Sequence, residues 1–559
     1  MRRSTRNTRT TVLGAAAVAI AIGAVYVPAV SAGASPSAYV PIPGSAYSLT
    51  PGESDLGAFP DDPVTFILSL NGRNQAQEDA LAKAISTPGS GRYGHYLSAA
   101  EVHARFSPSD RDAATVTTWL RKAGLTIAYK PGNNLFITAQ GTVAQADLAF
   151  RTDLHRILAS ADEGGYTFTA PVTTLYVPSA VNAVVSGFLE GINKPARRAQ
   201  PMSTHGSDSH DLSRWSTAST AKRVAASRTT ARAISAAVTG VGAPPDAAFL
   251  NARPCSAYWG EQLATGIPAL PADYAPGVPY APCGYTPTQL QGAYGVSALP
   301  SSITGLGVRV AVVDAYSSPT ILADANTYST THGQPAFGGR QFSQIAAPSY
   351  RYGYDDAVNG DLCGEQGWYG EETLDVEAVH AMAPSASVVY AGAGSCLDSD
   401  LLTSLNKLID GHKADIISNS WGDTGEIVDP VTLAAYHSVF VQAALEGIGV
   451  FFSSGDNGDE VDTAGTRTAD YPASDSWVTA VGGTSIGIGK GNNYLFETGW
   501  GTSKSSLVAG AWDPSAPGAW LYGAGGGTSQ VFAQPWYQRG VVPSSISRYF
   551  GGAPGRAVP

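Results

Sequence analysis

Glu371 and Asp375 stand four positions apart in the run GEETLDVEAVHAMAPSASVVY, Gly370 to Tyr390. A helix through this run places both carboxylates, with Ala378 and Val379, on one face. Leu374, Ala378, Ala381 and Met382 recur at roughly helical spacing, and Pro384 stops the pattern before a strand-like Ser387 to Tyr390. A third acid, Asp456, lies in the Gly-rich loop Ser454-Gly455-Asp456-Asn457-Gly458 after an apolar run, where the backbone can turn tightly and aim a carboxyl into a crevice. Taken singly, a carboxylate pair on a helix is an ordinary solvated face and Asp456 an ordinary turn residue. Together they are equipment for acid and base work at low pH, because crowded carboxylates drive one another's pKa values apart.

The elements that must position these acids read as alternating strands and helices from about Tyr285 onward. Val308 to Val313 is an apolar strand ending at Asp314, and Ser387 to Tyr390, Ile416 to Ile417 and Gly447 to Ser453 are further strands. Helices fall among them at Ile321 to Tyr328, Leu374 to Met382, Leu401 to Gly411 and Pro430 to Gly447. This order predicts a mainly parallel sheet covered on both faces, with ligands beyond the carboxyl ends of the strands. Asp314, Ser418 to Gly422 and Ser454 to Gly458 all fall at such ends.

Upstream, residues 48–190 read as a separate α+β domain. Val64 to Leu70, Leu125 to Tyr129 and Leu135 to Ala139 are strands, and Gln75 to Ile85, Asp112 to Ala123 and Val143 to Phe150 are helices. Residues 191–284 form a linker and lead-in. Ser, Thr, Ala and Arg dominate its first part, and His205 and His210 read there as solvated residues, not ligands.

The 559 residues carry a net charge of -11, which argues against a nucleic-acid partner. Arg2, Arg3, Arg6 and Arg9 precede an apolar run from Val12 to Val30 that ends in Ser31 and Ala32, so residues 1–32 read as an export signal, with a membrane anchor as the alternative. A secreted chain with no membrane attachment after signal cleavage follows. Its 4 cysteines then predict two disulfides, and of three pairings the local one, Cys255 with Cys283 and Cys363 with Cys396, is preferred.

Tyr285-Thr286-Pro287-Thr288-Gln289-Leu290, Gly370 to Asp375, Ser420-Trp421-Gly422 and Ser454 to Gly458 together resemble the sedolisin family, the serine-carboxyl peptidases, and especially its kumamolisin-like members. The resemblance implies a subtilisin-like domain at 285–559, a ferredoxin-like activation prodomain at 48–190, and cleavage of proteins or peptides at acidic pH by a monomeric zymogen. It gives Glu371 as general base, Asp375 as its orienting partner and Asp456 as donor to the oxyanion. The family's nucleophile is a Gly-Thr-Ser with a proline four residues later. Ser485 and Ser529 both follow Gly-Thr, but Gly489 and Ala533 stand where that proline belongs. The nucleophile segment and the family's calcium ligands are therefore expected beyond residue 559, with the chain incomplete and inactive. The alternatives are a non-catalytic secreted peptide-binding protein, or an enzyme in which Ser529 is the nucleophile. Were paired carboxylates across the prodomain interface to have depressed pKa values, acid would release the prodomain.

Overall fold

The computed structural model describes residues 38–160, 165–192, 200–201, 255–263, 279–280, 282–354, 356, 362–426, 429–515 and 518–559. The export signal and most of the linker, including His205 and His210, lie outside the described residues.

The first domain is built from β1 (Pro63–Leu70), α1 (Gln75–Ser86), α2 (Ala99–Arg105), α3 (Asp110–Lys122), β2 (Thr126–Tyr129), β3 (Phe136–Thr142), α4 (Val143–Phe150) and β4 (Val185–Glu190). The strands pair antiparallel in the order β2-β3-β1-β4. This is the βαββαβ arrangement of a ferredoxin-like sheet. Local chemistry starts its helices: Ser109 and Thr142 each close a capping box, with Asp112 and Gln145 reaching back to the cap amide. Alternation on β1 then decides the packing. Phe66 and Leu68 point into the domain's own core with Val116, Leu120 and Phe150, whereas Ile67 points the other way, into the core of the second domain.

A two-residue strand, β5 (Gln200–Pro201), leads to the second domain. There the elements are β6 (Arg309–Ala315), α5 (Ile321–Thr331), β7 (Phe342–Ile345), α6 (Glu365–Met382), β8 (Ser387–Ala393), α7 (Asp398–Asp410), β9 (Ile416–Asn419), β10 (Trp421–Gly422), α8 (Pro430–Glu446), β11 (Gly449–Ser453) and β12 (Thr479–Val481). Six of the strands form a wholly parallel sheet in the order β7-β8-β6-β9-β11-β12. Val312, Val388 and Tyr390 pack on one face against Ile321 of α5 and Val376 of α6. Ala311, Val313, Ile417 and Val450 pack on the other against Leu401 and Leu405 of α7 and Val439 and Phe440 of α8. Both faces of the parallel sheet are thus covered, as its apolar strands require.

Two expectations change. Helix α6 begins at Glu365, well before Leu374, because Glu365, Trp368 and Tyr369 all bury their side chains. Its polar-looking first half is held by core packing and not by an apolar repeat. Leu374 is 51 % exposed and Ala378 is also exposed, so the buried stripe is Glu371, Glu372, Val376, His380 and Ala381. The preferred pairing of the cysteines is present, Cys255–Cys283 and Cys363–Cys396, the latter tying the start of α6 to the loop after β8.

Candidate active site

Strand β6 carries Asp314 one residue before its end, β9 runs into Ser420, and β11 runs into Ser454, Gly455 and Asp456. These three strands are neighbours in the sheet, so their carboxyl ends form one rim about 10 Å wide. Helix α6 brings Glu371, Glu372 and Asp375 to the same rim. The Ser420 hydroxyl donates to both Asp375 oxygens, at 2.9 and 2.7 Å. Glu371 is 2 % exposed and Asp314 fully buried, and Asp314 feels the charges of Asp375, Glu371 and Glu372. Glu372, one step around the helix from Glu371, is committed elsewhere, accepting the backbone N–H of Ser318.

The protonation of this group follows from burial. Asp314 is pushed well above the ordinary carboxylate range, first by burial and then by Asp375, Glu371 and Glu372. Burial also takes Asp375 up to about 6, against the lowering effect of the Ser420 hydroxyl. Like charges this close cannot all ionise, so the cluster retains protons at mildly acidic pH.

Asp456 sits in a second buried group. Burial and the charge of Glu460 push it to about 7, and burial together with Glu460 takes Asp470 to about 8. The Asn457 amide donates to Glu460 at 3.0 Å, and the Gly425 amide to Asp470 at 2.8 Å. A backbone splice holds the loop: Gly523 N–H donates to Asp456 O at 2.7 Å and Gly525 N–H to Gly455 O at 2.6 Å.

Neither Gly-Thr-Ser offers its hydroxyl to Glu371 through a described hydrogen bond. Ser529, on a strand spanning Gly527–Ala533, accepts from the amides of Phe532 at 2.7 Å and Val531 at 3.1 Å, and it lies near enough to Glu426 to counter the upward push of burial on that carboxyl. Ser485 is exposed on the hairpin strand Thr484–Ile488, opposite Thr498. The hydroxyl that meets Asp375 is that of Ser420, which the sequence places at a strand end without a role. Asp314 was missed likewise, and its signal was an acid ending an otherwise apolar strand. For calcium, among the described residues no group of three His, Cys, Asp or Glu side chains is placed to hold a metal ion, so no step is assigned to one.

A model described as "Pro-kumamolisin, activation domain" matches residues 57–193, and one described as "Subtilase family" matches residues 359–540. The chain is similar to kumamolisin and sedolisin. Kumamolisin of Bacillus sp. (strain MN-32) is 28% identical over 50% of this chain and 45% of its own length. Sedolisin of Pseudomonas sp. (strain 101) is 24% identical over 84% of this chain and 66% of its own. Tripeptidyl-peptidase 1 of Canis lupus familiaris is 24% identical over 94% and 77%. The chain therefore spans about half to two thirds of the first two of these relatives. A solved structure of Pseudomonas sedolisin complexed with two molecules of pseudo-iodotyrostatin aligns over 49% of this chain and 69% of that one, at 23% identity and a TM-score of 0.38. Glu371, Asp375 and Asp456 lie within the residues that the subtilase model matches, and the first domain lies within those that the activation-domain model matches.

Proposed function

We propose that the rim is the acid half of a serine-carboxyl peptidase site that takes extended peptides at low pH. The observation that carries this reading is β5. The linker segment Gln200–Pro201 lies antiparallel on Trp421–Gly422, next to the Ser420 that holds Asp375. Adding an extended strand to a short sheet edge is how a peptide substrate is bound without regard to most of its side chains. On this reading the zymogen's own linker occupies the substrate strand until it is cut.

Glu371 then takes the proton of an attacking hydroxyl, Asp375 orients Glu371, and Asp456 donates a hydrogen bond to the carbonyl oxygen as negative charge builds. Asp456 must be protonated to donate. Its pKa of about 7 leaves the proton in place throughout acidic conditions and removes it above neutrality. The acidic working range follows from that. We assign the nucleophile to neither Ser485 nor Ser529, because the Ser529 hydroxyl oxygen is engaged by two amides, and Ser485 faces outward on a hairpin. The 559 residues alone then bind peptide without cleaving it, which also favours the reading of a secreted peptide-binding protein. Among the described residues no helix is long and apolar enough to cross a membrane.

The test is to cut the purified chain within its linker by limited proteolysis, to incubate it with a denatured protein at about pH 4.5, beside Glu371→Gln and Ser529→Ala treated alike, and to follow binding by fluorescence polarisation and cleavage by mass spectrometry. Binding without cleavage is expected in all three. Cleavage that disappears in Ser529→Ala would overturn the assignment of the serines, and absence of binding would overturn the peptide cleft.

A further inference from the structure

The prodomain docks on α8 through one face of α1. Glu78, Ala82 and Ile85 are its buried positions, spaced four and three residues apart and so on a single stripe. Ala82 and Ile85, with Val102 and Phe106 from α2, pack on Val441 and Leu445 of α8. Glu78 continues that stripe by one turn and is 8 % exposed. Its side chain is therefore buried on the face of α1 that docks. Beside it, Asp79 reaches across to His437 of α8, at 3.0 Å from Nε2.

The charged groups around this point come from four segments. Helix α1 supplies Glu78, Asp79 and Lys83, the last placed over the Trp536 ring at 5.6 Å. Helix α8 supplies His437. The segment before β12 supplies Asp475, 1 % exposed, and the strand Gly555–Val558 supplies Arg556, 3 % exposed, whose charge acts on Asp475. With Arg556 set against Asp475, two carboxyls on α1 face one imidazole. Closing the interface with both carboxyls ionised and the imidazole neutral would bury uncompensated negative charge.

We propose that docking of the prodomain takes up protons at Glu78 and His437, so that mild acid tightens the dock instead of opening it. The directions of the shifts agree with the geometry. Burial, then the charge of Asp79, raises Glu78 from 4.5 to about 7. Burial alone would lower His437, but the hydrogen bond from Asp79 and the charges of Asp475, Asp79 and Glu78 outweigh it and the net movement is upward. A group whose docked pKa exceeds its free value stabilises the dock fully below the free value and loses that contribution as pH rises through the docked one. For Glu78 the window therefore runs from 4.5 to about 7. Elsewhere along the interface, His103 of α2 pairs with Asp410 at 2.7 Å, Glu190 of β4 pairs with Arg351, and burial also raises Glu446, held by His412 and Gln442. Opening of the zymogen on this account needs cleavage of the linker, not acid alone.

The inference concerns the dock and stands apart from the peptidase reading, so its test uses no activity. Hydrogen exchange of the full chain, corrected for the intrinsic rate at each pH, reports the opening constant of α8 amides. That constant is expected to be larger at pH 8 than at pH 5.5, and the rise is expected to be about tenfold smaller in Glu78→Gln, because the rim acids act equally in both chains. Opening that increases on acidification, or a Glu78→Gln chain with the wild-type slope, overturns the proposal. His437→Gln provides a second variant should Glu78→Gln fail to fold; a smaller ratio supports the proposal and an unchanged one overturns it.

Discussion

The two acid groups at the rim are held in different ways. Glu371 and Asp375 ride on an 18-residue helix whose start is tied by Cys363–Cys396 and whose Asp375 is gripped by Ser420. Asp456 sits in a loop, and its place depends on a few backbone hydrogen bonds to Gly523 and Gly525. Both groups keep protons because both are buried, yet the helix-borne group is supported by side chains and the loop-borne group by main chain. Side-chain changes should therefore disturb the first, and added bulk at glycine the second.

The largest expected effect is shared by both groups. Asp375, Asp456 and Asp470, at about 6, 7 and 8, all lie above the ordinary aspartate value, so the folded chain binds more protons than the unfolded one between those limits. Stability is then fully present below the unfolded aspartate pKa and is lost as pH rises through the raised values. A loss of about 5 kcal/mol between pH 5 and pH 8, seen as a Tm lower by roughly 10 °C, is expected in thermal melts followed by circular dichroism. A Tm that rises toward neutral pH would show that these groups are solvated.

Next in size is Gly525→Ala. A Cβ there would stand 2.2 Å from the Ser454 carbonyl oxygen, so the splice under Asp456 must part. A cost of about 3 kcal/mol in denaturant unfolding is expected. Gly370→Ala, in α6 beside Glu371, has nothing within 4 Å of its new methyl and is expected to stabilise by about 0.5 to 1 kcal/mol. Equal effects at the two glycines would erase the contrast between helix and loop.

Ser420→Ala removes the donor to Asp375. About 1.5 kcal/mol should be lost at neutral pH and less at pH 4, with the Asp375 titration moving further up in carboxyl carbon NMR. Glu460→Gln is the mildest change. It removes the charge that adds to burial at Asp456, so the Asp456 titration is expected to move down by an amount worth under about 1 kcal/mol.

Much of this was legible in the chain. The β1 alternation, the caps at Ser109 and Thr142, and the apolar run ending at Asp314 each depend on a few neighbouring residues, and such local periodicity survives in any fold. What escaped was set by distant partners. Strand β7, Phe342–Ile345, is short and half polar, and it exists because β8 pairs with it. The first half of α6 looked irregular because its buried face contains Glu365 and Glu371, acids that burial in isolation would forbid.

By itself the sequence determined which residue types were available at the rim, the helical spacing that puts Glu371 and Asp375 together, and the contrast between an α+β segment and a parallel-sheet one. Only the tertiary structure decided that Ser420 meets Asp375 while Ser529 lies beside Glu426, and that Glu78 is buried on the face of α1 that docks on α8. Those outcomes join segments tens to hundreds of residues apart. Protonation belongs with them, because a carboxyl's pKa is set by the water it has lost and the charges brought beside it, and both are properties of the packed molecule.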